Sequence, residues 1–181
     1  MHVQEEISDI DIKRMVGDVH LEGDRRYKMV GKDQSVKDLR LACIGPYIDP
    51  VIEGSLTKFS AAKSYLYRVE FKKFKFSGCT FSHSFLDGAK FVGAIFINCH
   101  FICDFVRWCR FENCSFENCV FDIKYIRSST FDSKCSAKNL KLNICEVDEY
   151  LYLAGKRYST GYYDTDIVEH MPQGKVFLPI K

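Results

Sequence analysis

Residues Phe71 to Phe131 read FKKFKFSGCTFSHSFLDGAKFVGAIFINCHFICDFVRWCRFENCSFENCVFDIKYIRSSTF. Phenylalanine recurs in it with a step of five. Extended back to Leu66, the step visits Phe71, Phe76, Phe81, Leu86, Phe91, Phe96, Phe101, Val106, Phe111, Phe116, Phe121, Ile126 and Phe131, all apolar. Two residues before each lies a second series dominated by Ala, Cys and Ser, including Cys79, Ala89, Ala94, Cys99, Cys109, Cys114, Cys119 and Ser129. A period of five fits neither a helix at about 3.6 nor a flat strand at about 2. It fits a chain that turns a corner every five residues, with one large side chain pointing inward per face and a small one where the backbone bends. Four such faces make a coil, and coils stack at the strand spacing of roughly 4.8 Å.

Around residues 64–133 the units Cys79-Thr80-Phe81, Ala89-Lys90-Phe91, Cys99-His100-Phe101, Cys109-Arg110-Phe111, Cys114-Ser115-Phe116 and Cys119-Val120-Phe121 resemble those of the pentapeptide-repeat family. The resemblance implies an all-β chain, a right-handed quadrilateral β-solenoid of about 3.5–5 coils. Function is left open, because an architecture hosts many. Some proteins of this appearance protect topoisomerases from quinolones as acidic mimics of duplex DNA. Here Lys and Arg outnumber Asp and Glu between residues 61 and 135, and the whole chain carries a net charge of +2. That balance disfavours mimicry, since a DNA-binding partner is repelled by a neutral-to-basic rod.

A longer rhythm runs inside the short one. Leu66, Leu86, Val106 and Ile126 are the non-Phe members of the central series, each preceded by an aromatic residue: Tyr65, Phe85, Phe105 and Tyr125. Coils of twenty residues place these four rings one above another on a single face. Three arrangements remain open. The ladder points outward as an exposed interface. Alternatively the face is bulged and turns the rings inward, as Asp104 and Lys124 at small-residue positions permit. In the third, the ladder points outward beneath a terminal segment. Val92, Ile95, Ile97, Ile102 and Trp108 are further apolar residues at outward positions.

The repeat divides the chain into a non-repeat capping segment over 1–58, the solenoid over 59–152 and a C-terminal cap over 153–181. Ile7, Ile10 and Met15 suit a short amphipathic helix. Tyr27–Val30 and Leu39–Ile44 read as strands around Gly31-Lys32-Asp33, and Gly45-Pro46 and Asp49-Pro50 break the chain before the repeat. Toward the other end, Leu142, Val147 and Tyr152, with Leu140, Cys145 and Tyr150 before them, resume the step after one extra residue. A bulge is therefore expected within 134–138. Lys175–Leu178 is a candidate closing strand.

No site for catalysis, metal or cofactor emerges. Column cysteines such as Cys79, Cys99 and Cys119 read as compact core residues, because zinc needs four convergent ligands. Cys103, out of register beside His100, is expected at an exposed corner. Asp164-Thr165-Asp166 with Glu169-His170 is the densest acidic cluster, so an enzyme site would sit in the terminal segments. Lys72, Lys73 and Lys75 read as a solvated group, not a nucleic-acid site. Nine cysteines and a start lacking signal-peptide features point to the cytoplasm, or to delivery from it without a cleavable signal. No apolar run is long enough to span a membrane. The expected function is protein interaction through Tyr65, Phe85, Phe105, Tyr125 and Trp108, with a second protein or a second copy as partner. A homodimer would form through an end cap or a solenoid face.

Overall fold

A computed structural model describes residues 19–22, 26–42 and 50–162, which form strands and turns without a helix. The expected N-terminal helix, the Gly45-Pro46 break, the Asp164–His170 cluster and the strand at Lys175–Leu178 lie outside the described residues.

The strands are β1 (Val19–Glu22), β2 (Arg26–Ala42), β3 (Val51–Tyr67), β4 (Glu70–Lys72), β5 (Lys75–Ser77), β6 (Thr80–Asp87) and β7 (Lys90–Val92). They continue as β8 (Ile95–Ile97), β9 (His100–Arg107), β10 (Arg110–Glu112), β11 (Ser115–Phe131), β12 (Ser136–Leu153) and β13 (Lys156–Tyr162). Parallel pairing joins Phe71 to Phe91, Phe76 to Phe96 and Phe81 to Phe101, so each coil takes twenty residues. The strands stack as a β-solenoid of about five turns.

Inside, three columns of phenylalanine run along the axis. Phe71, Phe91, Phe111 and Phe131 stack at 5.2, 4.7 and 4.1 Å between ring centroids. In the second column Phe76, Phe96 and Phe116 stack at 4.9 Å per step. Phe81, Phe101 and Phe121 form the third, at 4.7 and 4.8 Å. These distances match the strand spacing that backbone hydrogen bonding imposes, so rings and ladders are satisfied together. The fourth face carries the aliphatic column Leu66, Leu86, Val106 and Ile126, all buried. Three rings and one aliphatic side chain fill each layer of the tube.

Corners explain the small residues. Left-handed φ recurs at the bends, at Arg68, Lys73, Asn98, Trp108, Asn113 and Asn118 among others. Asn tolerates that conformation best of the non-glycine residues. The next residue points inward against the bend, and there Cys79, Cys99, Cys109, Cys114 and Cys119 sit. Cys109 Sγ donates to the Leu86 carbonyl at 2.8 Å and Cys114 Sγ to that of Phe91 at 3.3 Å. All eight described cysteines are free thiols.

The parallel ladder reaches back past the boundary expected at residue 58. Arg26–Ala42 pairs in parallel with Val51–Tyr67 at an offset of 25. Gly31, Val36 and Leu41 thereby align with Leu56, Ala61 and Leu66. The two N-terminal strands read from sequence are thus sides of one coil, with a corner at Asp33, where φ is 52°.

Two insertions interrupt the far end. The first is the turn at Ser133-Lys134, closed by Cys135 N–H donating to the Asp132 carbonyl at 3.2 Å. It shifts the pairing to Ser115 with Ser136. The second lies in β12 after Asp148, opposite the Arg127–Ser129 step, and it pairs Ser129 with Leu151 and Phe131 with Leu153. Tyr150 and Tyr152, expected inside, are therefore half-buried, while Leu151 and Leu153 take the core. Cys145 likewise is exposed, because Ile144 turns inward in its place. Antiparallel β1 lies along β2 and antiparallel β13 along β12 at the two ends. Such strands shield part of the terminal edges from pairing with other chains.

Phe101 stands in mid-column, fully buried between Phe81 and Phe121. Phe101→Ala is expected to destabilise by about 3–5 kcal/mol in urea unfolding. Ile95→Ala, on the surface, is expected to cost under about 1 kcal/mol.

Candidate interaction face

The aromatic ladder stands on the wall outside the aliphatic column. Ring centroids are 6.3 Å apart between Tyr65 and Phe85, 5.7 Å between Phe85 and Phe105, and 5.7 Å between Phe105 and Tyr125. Phe105 is 37% exposed and the other three rings are half-buried. The rings therefore do not turn inward. The face is nonetheless bulged, with register shifts on both sides of Ser84. What the irregularity brings in is Cys103 and Ile123, 1% and 2% exposed. Left-handed φ is absent at both positions, so the strand continues through that corner and leaves Asp104 and Lys124 outside. A charged side chain in the apolar tube would be far more costly than a local change of backbone.

Cys103 is consequently not the exposed thiol expected from sequence. Burial pushes its pKa well up, away from nucleophilic reactivity.

Beside the ladder runs a charged column. Arg107 donates to Asp87 through Nε at 2.7 Å and Nη2 at 2.5 Å, with Asp87 buried at 4% exposure. That fork fixes the guanidinium, which lies 5.0 Å from the Phe105 ring and 5.8 Å from Trp108. Arg127 approaches Trp108 from the next coil at 5.6 Å and pairs with Asp148 and Glu149. Trp108, at a left-handed corner, is 52% exposed between the two arginines. The Tyr125 hydroxyl donates to Asp148 at 2.6 Å, and that bond raises its pKa. Arg40, Lys63, Tyr65 and Phe85 line a groove of about 260 Å³ at the N-terminal end of the ladder.

The other walls are more polar. Ile95 is 41% exposed beside half-buried Ile97, along a groove of about 300 Å³ that also meets Ser115, Glu117 and Lys138. Val92 and Ile102 are half-buried. Lys72 and Lys75 fall on different faces, with Lys73 at the corner between them. His100 Nε2 meets Asp122 at 2.6 Å and Asn143 donates to the same carboxylate at 2.7 Å. Among the described residues no group of three or more His, Cys, Asp or Glu side chains is placed to hold a metal ion.

Coils of twenty residues, four inward positions each and small residues at the bends are the geometry of one family. Residues 64–102 match it as "Pentapeptide repeats", in eight copies. That stretch is a run of pentapeptide repeats, and the β-solenoid around it is consistent with a pentapeptide-repeat protein. No curated protein and no solved structure matches it. Pentapeptide repeats account for the tube, and no inward position of the tube requires the ladder.

Burial works to raise the Asp122 pKa, but the bonds from Asn143 and His100 outweigh it and hold the carboxyl below its ordinary value. Its contribution to stability is therefore present above the ordinary carboxylate pKa and lost as pH falls through the lowered folded value. Asn143→Ala is expected to raise the Asp122 midpoint in a carboxyl NMR titration and to shrink the loss of stability on acidification. Thiol chemistry checks the column independently. In a Cys43→Ser background, one thiol, Cys145, should react quickly with a disulfide reagent, and the seven buried cysteines only on unfolding.

Proposed function

We propose that this chain is a non-catalytic scaffold that binds a protein partner through the ladder wall, with Tyr65, Phe85, Phe105, Tyr125 and Trp108 as the contacts. The observation that carries this reading is the exposure of Phe105 and Trp108 on a wall whose counterparts elsewhere are largely polar. Glu70, Lys90, Arg110 and Thr130, for example, hold the position of the ladder rings on another face. Exposed aromatic and arginine side chains are the residues that contribute most to protein interfaces. Two features suit them to that role. The backbone beneath is locked into the coil ladder, and Arg107 is fixed by Asp87, so little conformational freedom remains to be lost on binding. The flat wall presents rows of side chains without a deep cleft, which suits a protein surface better than a small substrate. Whether the partner is held as an adaptor, an effector or an inhibitor would hold it depends on the partner's own activity.

Affinity capture with the intact chain tests the reading. Phe105→Ser and Trp108→Ala should each weaken retention of the partner by roughly 30-fold while the circular-dichroism spectrum stays unchanged. Trp108 is the single tryptophan of the chain, so its emission should shift to the blue when the partner covers it. Undiminished capture by both variants would remove the ladder from the interface.

A further inference from the structure

The ladder column has the symmetry of a palindrome. Read along the solenoid axis it runs Arg40, Tyr65, Phe85, Phe105, Tyr125, Glu146. Consider a half-turn about a line that lies in the wall's outer plane, follows the strands and passes between the Phe85 and Phe105 coils. It places Phe85 opposite Phe105 and Tyr65 opposite Tyr125, and it sets Arg40 against Glu146. The adjoining charged column obeys the same operation, for Asp87 comes opposite Arg107. In the corner column Trp108, the most exposed large apolar side chain among the described residues, comes opposite Gly88. That position carries no side chain of its own, and the Arg68 side chain lies alongside it. Its φ is +69° and an added Cβ would stand 3.0 Å from Arg68 Cγ. Two neighbouring columns are thus complementary to themselves in charge, at the middle and at both ends, and the same rotation sets the corner tryptophan against a glycine.

We infer that the occupant of this wall is a second copy of the chain, docked ladder to ladder with the two solenoid axes antiparallel. The inference rests on the interaction-face reading above and names its partner. A two-fold contact of this kind is closed, so it stops at the dimer. At its centre Asp87 and Arg107 of each copy keep their own fork and meet the opposite pair, giving four charges of alternating sign. Lys63 falls opposite Lys124 at the rim, where both are exposed and solvent screens their repulsion. Five coil steps of roughly 4.8 Å make a strip about 24 Å long. A contact of that size sits at the small end of specific interfaces, so association is concentration-dependent, with a dissociation constant on the order of micromolar.

Sedimentation equilibrium of the full chain over a range of concentrations tests it, with Arg40→Glu, Glu146→Arg and the double variant beside the parent. The parent should show a monomer–dimer equilibrium. Each single substitution should weaken association on the order of tenfold by placing like charges opposite each other, and the double substitution should restore it. Trp108→Ala should weaken it without rescue by either charge change. Unchanged circular dichroism establishes that each variant is folded. A parent that stays monomeric at about 100 micromolar, well above the expected constant, overturns the inference. So does a dimer indifferent to these substitutions, or one that forms only after removal of residues 163–181. A monomeric parent whose Phe105→Ser variant loses a different captured protein removes the self-association alone, and the interaction face stands. A monomer whose capture is also unaffected removes both.

Discussion

Two lengths have to agree for this molecule to exist. Parallel strands linked by backbone hydrogen bonds repeat at about 4.8 Å, and stacked phenyl rings prefer centroid separations close to that. In the Phe76 and Phe81 columns the separations are 4.7 to 4.9 Å, with rings within 19° of parallel. Because the two spacings coincide, the rings stack along the axis while the backbone hydrogen bonds keep their proper geometry. The remaining features serve that agreement. Small residues let the chain bend beside each ring, left-handed corners turn it, and the aliphatic fourth column keeps the layer from being overfilled.

The tube was legible in the sequence because its constraint repeats. Each coil poses the same packing problem, so Phe returns every five residues and an aromatic–aliphatic pair every twenty. Legibility faded where the problem is solved differently. In the first coils Gly31, Val36, Leu56 and Ala61 hold inward positions that lack the ring signature, so the five-residue step is not visible there. In the last coil the second insertion exchanges Tyr152 for Leu153, and both are apolar enough to fit either register. At the ladder face Asp104 marked an irregularity correctly. Which neighbour would turn inward depended on backbone geometry, and Cys103 offered no sign of it.

The candidate site was half visible. The spacing of Tyr65, Phe85, Phe105 and Tyr125 is a property of the sequence, and so is their alignment on one wall. Their outward orientation and the fork between Asp87 and Arg107 needed the fold, because residues twenty apart become neighbours only once coils stack. A solenoid separates the two demands on a sequence: inward positions answer to packing and outward ones to whatever the wall touches. That separation makes the ladder informative, since packing alone gives no reason for four rings in a row outside.

The stacked columns can be observed directly by nuclear Overhauser spectroscopy on the chain with only its phenylalanine rings protonated. The account predicts ring-to-ring contacts between residues twenty apart, such as Phe76 with Phe96, Phe96 with Phe116 and Phe101 with Phe121. Contacts confined to rings five apart, with none at twenty, would contradict it.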